Sequence, residues 1–204
     1  GVIKYNGFIY NLVTFTSPMC FNIIKYDLEG NYLWNKSYAG KMWDFTILNN
    51  IIYAIGTNSS YEDVYLFMVD LDGNKIGSEL IIADFEQMGL CIENNDQHLF
   101  ISFYTQFSEI GPTHIGIMRL DTSLNILWNI TWNPHIDSYT DVSSKLYLNG
   151  EYFYIVGQTN KSAILLKFDL NGNLIFQRFW KTLTTAQLSD ICIVDSFIYT
   201  VGWE

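Results

Sequence analysis

Short apolar runs separated by polar turns follow one another along the whole chain. The clearest stretch is EYFYIVGQTNKSAILLKFDLNGNLIFQRFWK, residues 151–181. Its three apolar runs are rich in aromatic and β-branched residues and are separated by Asn, Asp and Gly, a pattern typical of short β-strands. In residues 169–173 Asp can hydrogen-bond its own turn and Gly can adopt a positive φ, so a tight hairpin is predicted. With the short run at residues 145–148, the stretch predicts four strands in up-and-down order.

The predicted hairpin recurs four times along the chain. Its copies read KYDLEGNYLW, MVDLDGNKIG, RLDTSLNILW and KFDLNGNLIF. One column of this repeat contains only aspartate, at Asp27, Asp70, Asp121 and Asp169. Another contains only asparagine, at Asn31, Asn74, Asn125 and Asn173. The copies lie roughly 43 to 51 residues apart, which is close to the period of propeller blades. The third copy has Ser123 and Leu124 in place of its glycine.

The strand before the hairpin also recurs, and one of its columns favours glycine. Gly56, Gly157 and Gly202 occupy this column, whereas Val13 and Phe103 replace glycine in the other two copies. The full pattern reads IYxVGxT, then a variable loop, a hydrophobic strand and K-x-D-x-x-GN-x-x-W. It resembles the SBBP and delta-60 type β-propeller repeats, which are distantly similar to PQQ-type repeats. The resemblance covers nearly the whole chain. It implies an all-β fold, a β-propeller of four-stranded antiparallel blades.

We expect a single propeller domain. Its blades are predicted over approximately residues 1–40, 41–84, 85–135 and 136–183, with part of a fifth over 184–204. The N-terminus supplies another first strand, rather than the third and fourth strands that the fifth blade lacks. We therefore expect the chain to be a fragment of a ring of six to eight blades.

Composition excludes several functional classes. The net charge is −10 and the pI is about 4.6, which argues against a nucleic-acid partner. No apolar run approaches the roughly 18 residues of a membrane helix, so no membrane span is predicted. The three cysteines have no CxxC spacing, and the sequence contains no GxSxG motif. We predict no metal, no cofactor and no catalytic residue.

Four Asn-x-Ser/Thr motifs are candidate N-glycosylation sites. They begin at Asn35, Asn58, Asn129 and Asn160. In a propeller, Asn35 and Asn129 should lie on outermost strands and the other two in loops, so all four should face solvent. Glycosylation would place the protein outside the cell or on the cell surface, in an archaeon or a eukaryote.

A ring of aromatic and acidic residues is the predicted binding face. Tyr38, Trp132 and Trp180 end three outer strands, and Trp43 lies nearby. Asp44 and Asp190 begin two inner strands. These side chains could stack on and hydrogen-bond sugars, or accept a protein partner. The other interpretation is that the aromatic residues pack between blades. The longest loop, residues 106–114, is a further candidate contact surface.

Three functional hypotheses follow. The first is a non-catalytic extracellular structural or interaction module, such as a surface-layer or filament component, with protein partners or copies of the same chain. The alternative is a carbohydrate-binding or carbohydrate-processing propeller. The third is a quinone-dependent or hydrolytic enzyme. Two acidic residues projecting into a pocket near the channel would favour an enzyme, whereas contacts through strands or loops would favour the structural role.

Overall fold

A computed structural model describes residues 1–17, 19–57, 63–82, 87–106, 111–133, 141–181 and 184–204, with the backbone alone at 79–82 and 87. This part of the chain contains eighteen β-strands and no helix. The first sheet consists of β1 (Val2–Tyr5), β2 (Phe8–Thr16), β3 (Met19–Asp27) and β4 (Tyr32–Ala39). The second consists of β5 (Lys41–Leu48), β6 (Ile51–Thr57), β7 (Val64–Asp70) and β8 (Lys75–Ile82).

The remaining strands form three further sheets. The third sheet consists of β9 (Gln87–Asn94), β10 (His98–Gln106), β11 (Thr113–Asp121) and β12 (Ile126–Trp132). The fourth consists of β13 (Asp141–Asn149), β14 (Tyr152–Thr159), β15 (Ser162–Asp169) and β16 (Leu174–Lys181). The fifth pairs β17 (Gln187–Val194) with β18 (Phe197–Trp203). All neighbouring strands within a sheet are antiparallel and consecutive in the chain. The prediction of an all-β propeller with four-stranded antiparallel blades is therefore confirmed.

Successive blades pack face to face through apolar side chains. Strand β6 is almost continuously apolar because it contacts a blade on each side. Ile52 and Ala54 belong to the core shared with the first blade. Their neighbours Tyr53 and Ile55 belong to the core shared with the third blade. Side chains of a strand alternate between its two faces, so a strand covered on both sides must be apolar at every position.

A bulge in the inner strand explains the glycine column. The register of β5 against β6 shifts between Met42 and Asp44, which leaves Trp43 as the extra residue. A Cβ atom added at Gly56 would lie 2.0 Å from the carbonyl oxygen of Lys41. Gly157 and Gly202 face the same obstruction, because an added Cβ would also lie 2.0 Å from a carbonyl oxygen of the bulged strand. In these three blades a side chain opposite the bulge would collide with the bulged strand.

The third blade keeps this bulge with Phe103 in the glycine column. Phe103 pairs with Gly116 on one side and Gly89 on the other. A Cβ atom added at Gly116 would lie 2.1 Å from the Phe103 ring. The glycine has thus moved to the neighbouring strand, where it makes room for the ring.

The recurring aspartate and asparagine close every hairpin in the same way. In the fourth blade Asp169 Oδ1 accepts the Asn173 backbone N–H at 2.9 Å, and Oδ2 accepts the Asn173 side-chain amide at 2.8 Å. The hydrogen bond from Asn173, the largest contribution, holds the pKa of Asp169 below its usual value. The other three hairpins have the same pair of bonds, at Asp27, Asp70 and Asp121.

A tryptophan of one blade covers the turn of the next. An added Cβ atom at Gly73 would lie 3.1 Å from the Trp34 ring, and one at Gly172 would lie 3.5 Å from the Trp128 ring. The second blade has Gly77 in the register position of these tryptophans. The turn facing it has Leu124, which packs against the core between the second and third blades. The third hairpin thus has a large apolar side chain in its turn, and the outer strand of the second blade has only a glycine at the matching position.

Candidate functional site

The innermost strands of the first four blades line a cavity of about 300 Å³ at the propeller channel. Its walls come from β1, β5, β9 and β13. The polar side chains in the lining are Asp44, Thr46, Glu93, Asn94 and Lys145. The cavity therefore combines carboxylate, hydroxyl, amide and ammonium groups from three different blades.

Lys145 links the two carboxylates of this cavity. Its Nζ lies 3.4 Å from Asp44 Oδ2 and 3.6 Å from Glu93 Oε1. The lysine belongs to the fourth blade and its partners belong to the second and third, so the contact spans three blades. Asp44 Oδ2 also accepts the backbone N–H of Ile92 at 3.3 Å.

Burial and neighbouring charges shift the pKa values of Glu93 and Lys145. Burial raises the pKa of Glu93, and the nearby Lys145 offsets only part of that rise. For Lys145 burial acts to lower the pKa, but the attraction of Asp44 and Glu93 outweighs it and the pKa is raised. Lys145 is therefore an ammonium ion at neutral pH.

The other polar residues of the cavity fix two inner strands to each other. The Asn94 side-chain amide donates to Thr46 Oγ1 at 2.6 Å and to the carbonyl oxygen of Ile47 at 3.1 Å. Thr46 is almost fully buried. These bonds hold β5 against β9 and so position Asp44 and Glu93 on the same wall of the cavity.

Two of the three cavity charges, Asp44 and Lys145, occupy a column that does not require charge. The first residue after the bulge is Asp44 in β5, Cys91 in β9, Lys145 in β13 and Asp190 in β17. Cys91 is a buried thiol whose pKa is raised to about 12 by burial. Asp190 is exposed, and its Oδ1 accepts the N–H of Ile191. The same backbone position thus tolerates a small apolar side chain, an acid or a base.

The six residues of the predicted aromatic and acidic ring lie in three different environments. Tyr38 packs against Phe21 and Phe67 between the first two blades, and Trp132 stacks on Phe179 between the third and fourth. Trp43 and Trp180 are 38 % and 47 % exposed. Asp44 lies in the channel cavity, whereas Asp190 faces solvent.

Three of the four candidate glycosylation sites lie in the described residues. Asn35 on β4 and Asn129 on β12 are exposed, and Asn160 is exposed at the β14–β15 turn with a φ of 46°. Asn58 lies outside the described residues, as do residues 107–110 of the longest loop.

A second bulge, in the outermost strand of each blade, presents an apolar side chain to solvent. A register shift just after the hairpin turn leaves one extra residue near the start of each of β4, β8, β12 and β16, and β8 has a second shift near its end. We call these four residues the outer rim: Leu33, Ile76, Leu127 and Ile175. Each is between 45 % and 53 % exposed. Four blades therefore expose a large aliphatic group at the same place.

Sequence reasoning missed Glu93, Lys145 and the outer rim. A usable signal was present for the first two, because Glu93 and Lys145 are charges in the interior of strands rich in apolar or small residues. The outer rim had a signal as well, since two adjacent apolar residues follow the turn in three of the hairpins.

Comparisons with known proteins identify the fold alone. No family model matches the sequence, and no curated protein matches it significantly. Among solved structures, Synechocystis apocarotenoid oxygenase is 10% identical over 92% of this chain and 48% of its own, with a TM-score of 0.52. BamB from Moraxella catarrhalis is 11% identical over 98% of this chain and 68% of its own, with a TM-score of 0.50. The chain spans about half the length of the oxygenase.

None of the elements described is a helix long and apolar enough to cross a bilayer. No group of three or more His, Cys, Asp or Glu side chains in these ranges could hold a metal ion.

Proposed function

We propose that the protein is a non-catalytic propeller module of an extracellular or cell-surface assembly, and that it contacts other proteins or copies of itself through the outer rim. Asp44 and Glu93 do line a cavity near the channel, the arrangement expected of an enzyme, but Lys145 lies against both carboxylates and neutralises part of their charge. The observation that carries the proposal is the repeated exposure of Leu33, Ile76, Leu127 and Ile175. Aliphatic groups gain about 25 cal/mol for each Å² removed from water, so four half-exposed ones offer a favourable contact.

The bulges decide what kind of contact the outer rim can make. A bulge interrupts the regular hydrogen-bonding edge of an outermost strand and so disfavours addition of a partner strand. It also directs the extra side chain outward. The proposed contact is therefore made by side chains, one from each blade, and follows the circumference of the propeller.

Glycosylation is the part of the proposal that sets its location. Asn35 and Asn129 follow Leu33 and Leu127 by two residues on the same exposed strands. Glycans on these asparagines would cover the outer rim of the first and third blades. Ile76 and Ile175 have no such motif beside them and would remain accessible to a partner.

Site-specific cross-linking tests the contact. A photo-reactive amino acid at Ile76 or Ile175, in protein expressed in its native host, should form a discrete cross-linked species with one other polypeptide. The matched control carries the same group at Asp72, which is exposed in the neighbouring turn. No cross-link at any of the four rim positions, or equal cross-linking at Asp72, would contradict the proposal.

Peptide mass spectrometry of the native protein tests the location. Glycan on Asn35 or Asn129 is the expected result, and unmodified asparagine at every candidate site would remove the argument for an extracellular protein. The activity in the oxygenase's name is not transferred, because 10% identity supports only the fold. Carbohydrate binding by the aromatic face stays a prediction, with Trp43 and Trp180 as its exposed members.

A further inference from the structure

Two of the three charges at the channel cavity, Asp44 and Lys145, lie in a column that is uncharged in the third blade. Cys91 fills the column of Asp44 and Lys145 in the third blade as a buried, uncharged side chain. Burying a charged group is unfavourable unless its partners compensate, and groups held in this way concentrate at functional sites. The placement of Asp44, Glu93 and Lys145 around one cavity therefore calls for a functional explanation.

The hydrogen bond and the ion pair that Lys145 makes in the cavity are both long. Ammonium–carboxylate hydrogen bonds are usually about 2.7 to 2.9 Å long. Lys145 Nζ lies 3.4 Å from Asp44 Oδ2 and 3.6 Å from Glu93 Oε1, so both contacts are longer than this. A hydroxyl group both donates and accepts, and can therefore satisfy a carboxylate and an ammonium at once.

The charge and the size of the channel cavity limit the kinds of ligand that it can bind. An anion would be repelled by two carboxylates. A calcium ion needs about six to eight oxygen ligands, and the Lys145 ammonium would oppose it. The volume of about 300 Å³ is at the lower end of ligand pockets and suits one sugar-sized ring.

We infer that the channel cavity binds a neutral polyhydroxylated ring of monosaccharide size, with Asp44 and Glu93 accepting from its hydroxyls and Lys145 donating to them. Thr46 and Asn94 hold the two inner strands that carry the carboxylates. The ligand is either a free sugar or the terminal sugar of a glycan, since both present the same hydroxyl groups. This inference is independent of the outer rim, and either can fail without the other.

Saturation-transfer NMR on the full chain tests the inference with free hexoses, N-acetylhexosamines, inositol and the corresponding methyl glycosides. At least one compound should bind, and its affinity should fall about tenfold or more in Asp44→Asn and in Glu93→Gln, because each removes a charged acceptor. Asp190→Asn is the matched control, since Asp190 shares the column of Asp44 but faces solvent. It should bind as the unmodified protein does.

Chemical-shift mapping on the unmodified protein locates the ligand even if a variant does not fold. The amides of Asp44, Glu93 and Lys145 should shift, and those of Asp190 and the hairpin turns should not. Binding of methyl glycosides would identify a terminal glycan residue, and binding of reducing sugars alone would identify a free sugar. Failure of the whole panel to bind, binding unaffected by both variants, or saturable binding of calcium at the same amides in place of any polyol would overturn the inference.

Discussion

The interface between the first and second blades and that between the second and third solve one packing problem with opposite residues. In the first, Trp34 lies over a turn glycine, Gly73, and Lys25 Nζ donates to the carbonyl oxygen of Leu71 at 3.2 Å. In the second, Gly77 and Met68 occupy the columns of the tryptophan and the lysine, and Leu124 replaces the turn glycine. The interface between the third and fourth blades returns to the first form.

The difference shows that a blade's residues are selected together with those of its neighbour. A large side chain on an outer strand requires a small turn in the next blade, and a small one permits a large turn. The cationic residue beside the tryptophan varies together with it. Arg119 Nη1 donates to the carbonyl oxygen of Leu170 at 3.0 Å, whereas Met68, at the same position of the second blade, has no group that could donate. A departure from the repeat is therefore compensated across the interface.

Removing Trp128 from the interface between the third and fourth blades should have the largest effect on stability. Trp128 stacks on Phe153 and its Nε1 donates to the carbonyl oxygen of Leu170 at 3.2 Å. We expect Trp128→Ala to lower the free energy of unfolding by about 3 kcal/mol, measured by urea denaturation, because a cavity opens between two blades. Trp180→Ala, at an exposed strand end, is the control and should lose less than about 1 kcal/mol. Equal losses would show that the tryptophan does not hold the interface.

Exchanging the two forms of interface should have the next largest effect. Gly77→Trp introduces a large ring where an added Cβ atom already lies 3.1 Å from Met68 Cε, and it should destabilise the protein by about 1 to 3 kcal/mol through overpacking. Combining it with Leu124→Gly recreates the pairing of Trp34 with Gly73 and should recover part of that loss. A double-mutant cycle measures the coupling, and additive effects of the two changes would refute size compensation.

These interfaces also show what sequence could and could not predict. The hairpin turns were predictable because Asp and Asn act on their own local backbone. Leu124 and Phe103 were seen as losses of glycine, and their compensation by Gly77 and Gly116 requires knowing which strands and blades are neighbours. The cavity was missed for a related reason. The bulge at Trp43 shifts the alternation of β5 by one residue, so a simple period of two cannot say which side of the strand Asp44 faces.

Replacing Arg119 of the third blade by methionine, the residue that the second blade has at this position (Met68), should have a smaller effect on stability. Arg119→Met removes a charge-assisted hydrogen bond to the turn and should lower the unfolding free energy by about 1.5 kcal/mol. Arg119 Nη2 also lies 3.1 Å from the His98 ring nitrogens. Burial and then the charge of Arg119 lower the pKa of His98, so the substitution should raise that pKa in an NMR titration. An unchanged His98 pKa would show that the two groups are not coupled.

Neutralising a hairpin aspartate should have the smallest effect, and the same effect in both forms of interface. The pKa values of Asp121 and Asp169 are lowered, chiefly by the side-chain hydrogen bonds from Asn125 and Asn173. A carboxyl with a lowered folded-state pKa stabilises the protein above its unfolded pKa of about 3.9, and this stabilisation is lost as the pH falls through the folded value. Asp121→Asn and Asp169→Asn should each remove a small part of the acid dependence in denaturation curves measured between neutral and acid pH. The two parts should be nearly equal, because His98 makes only the smallest contribution to the lowered pKa of Asp121. A large difference would mean that the turns, identical in their own hydrogen bonds, are controlled by the groups packed around them.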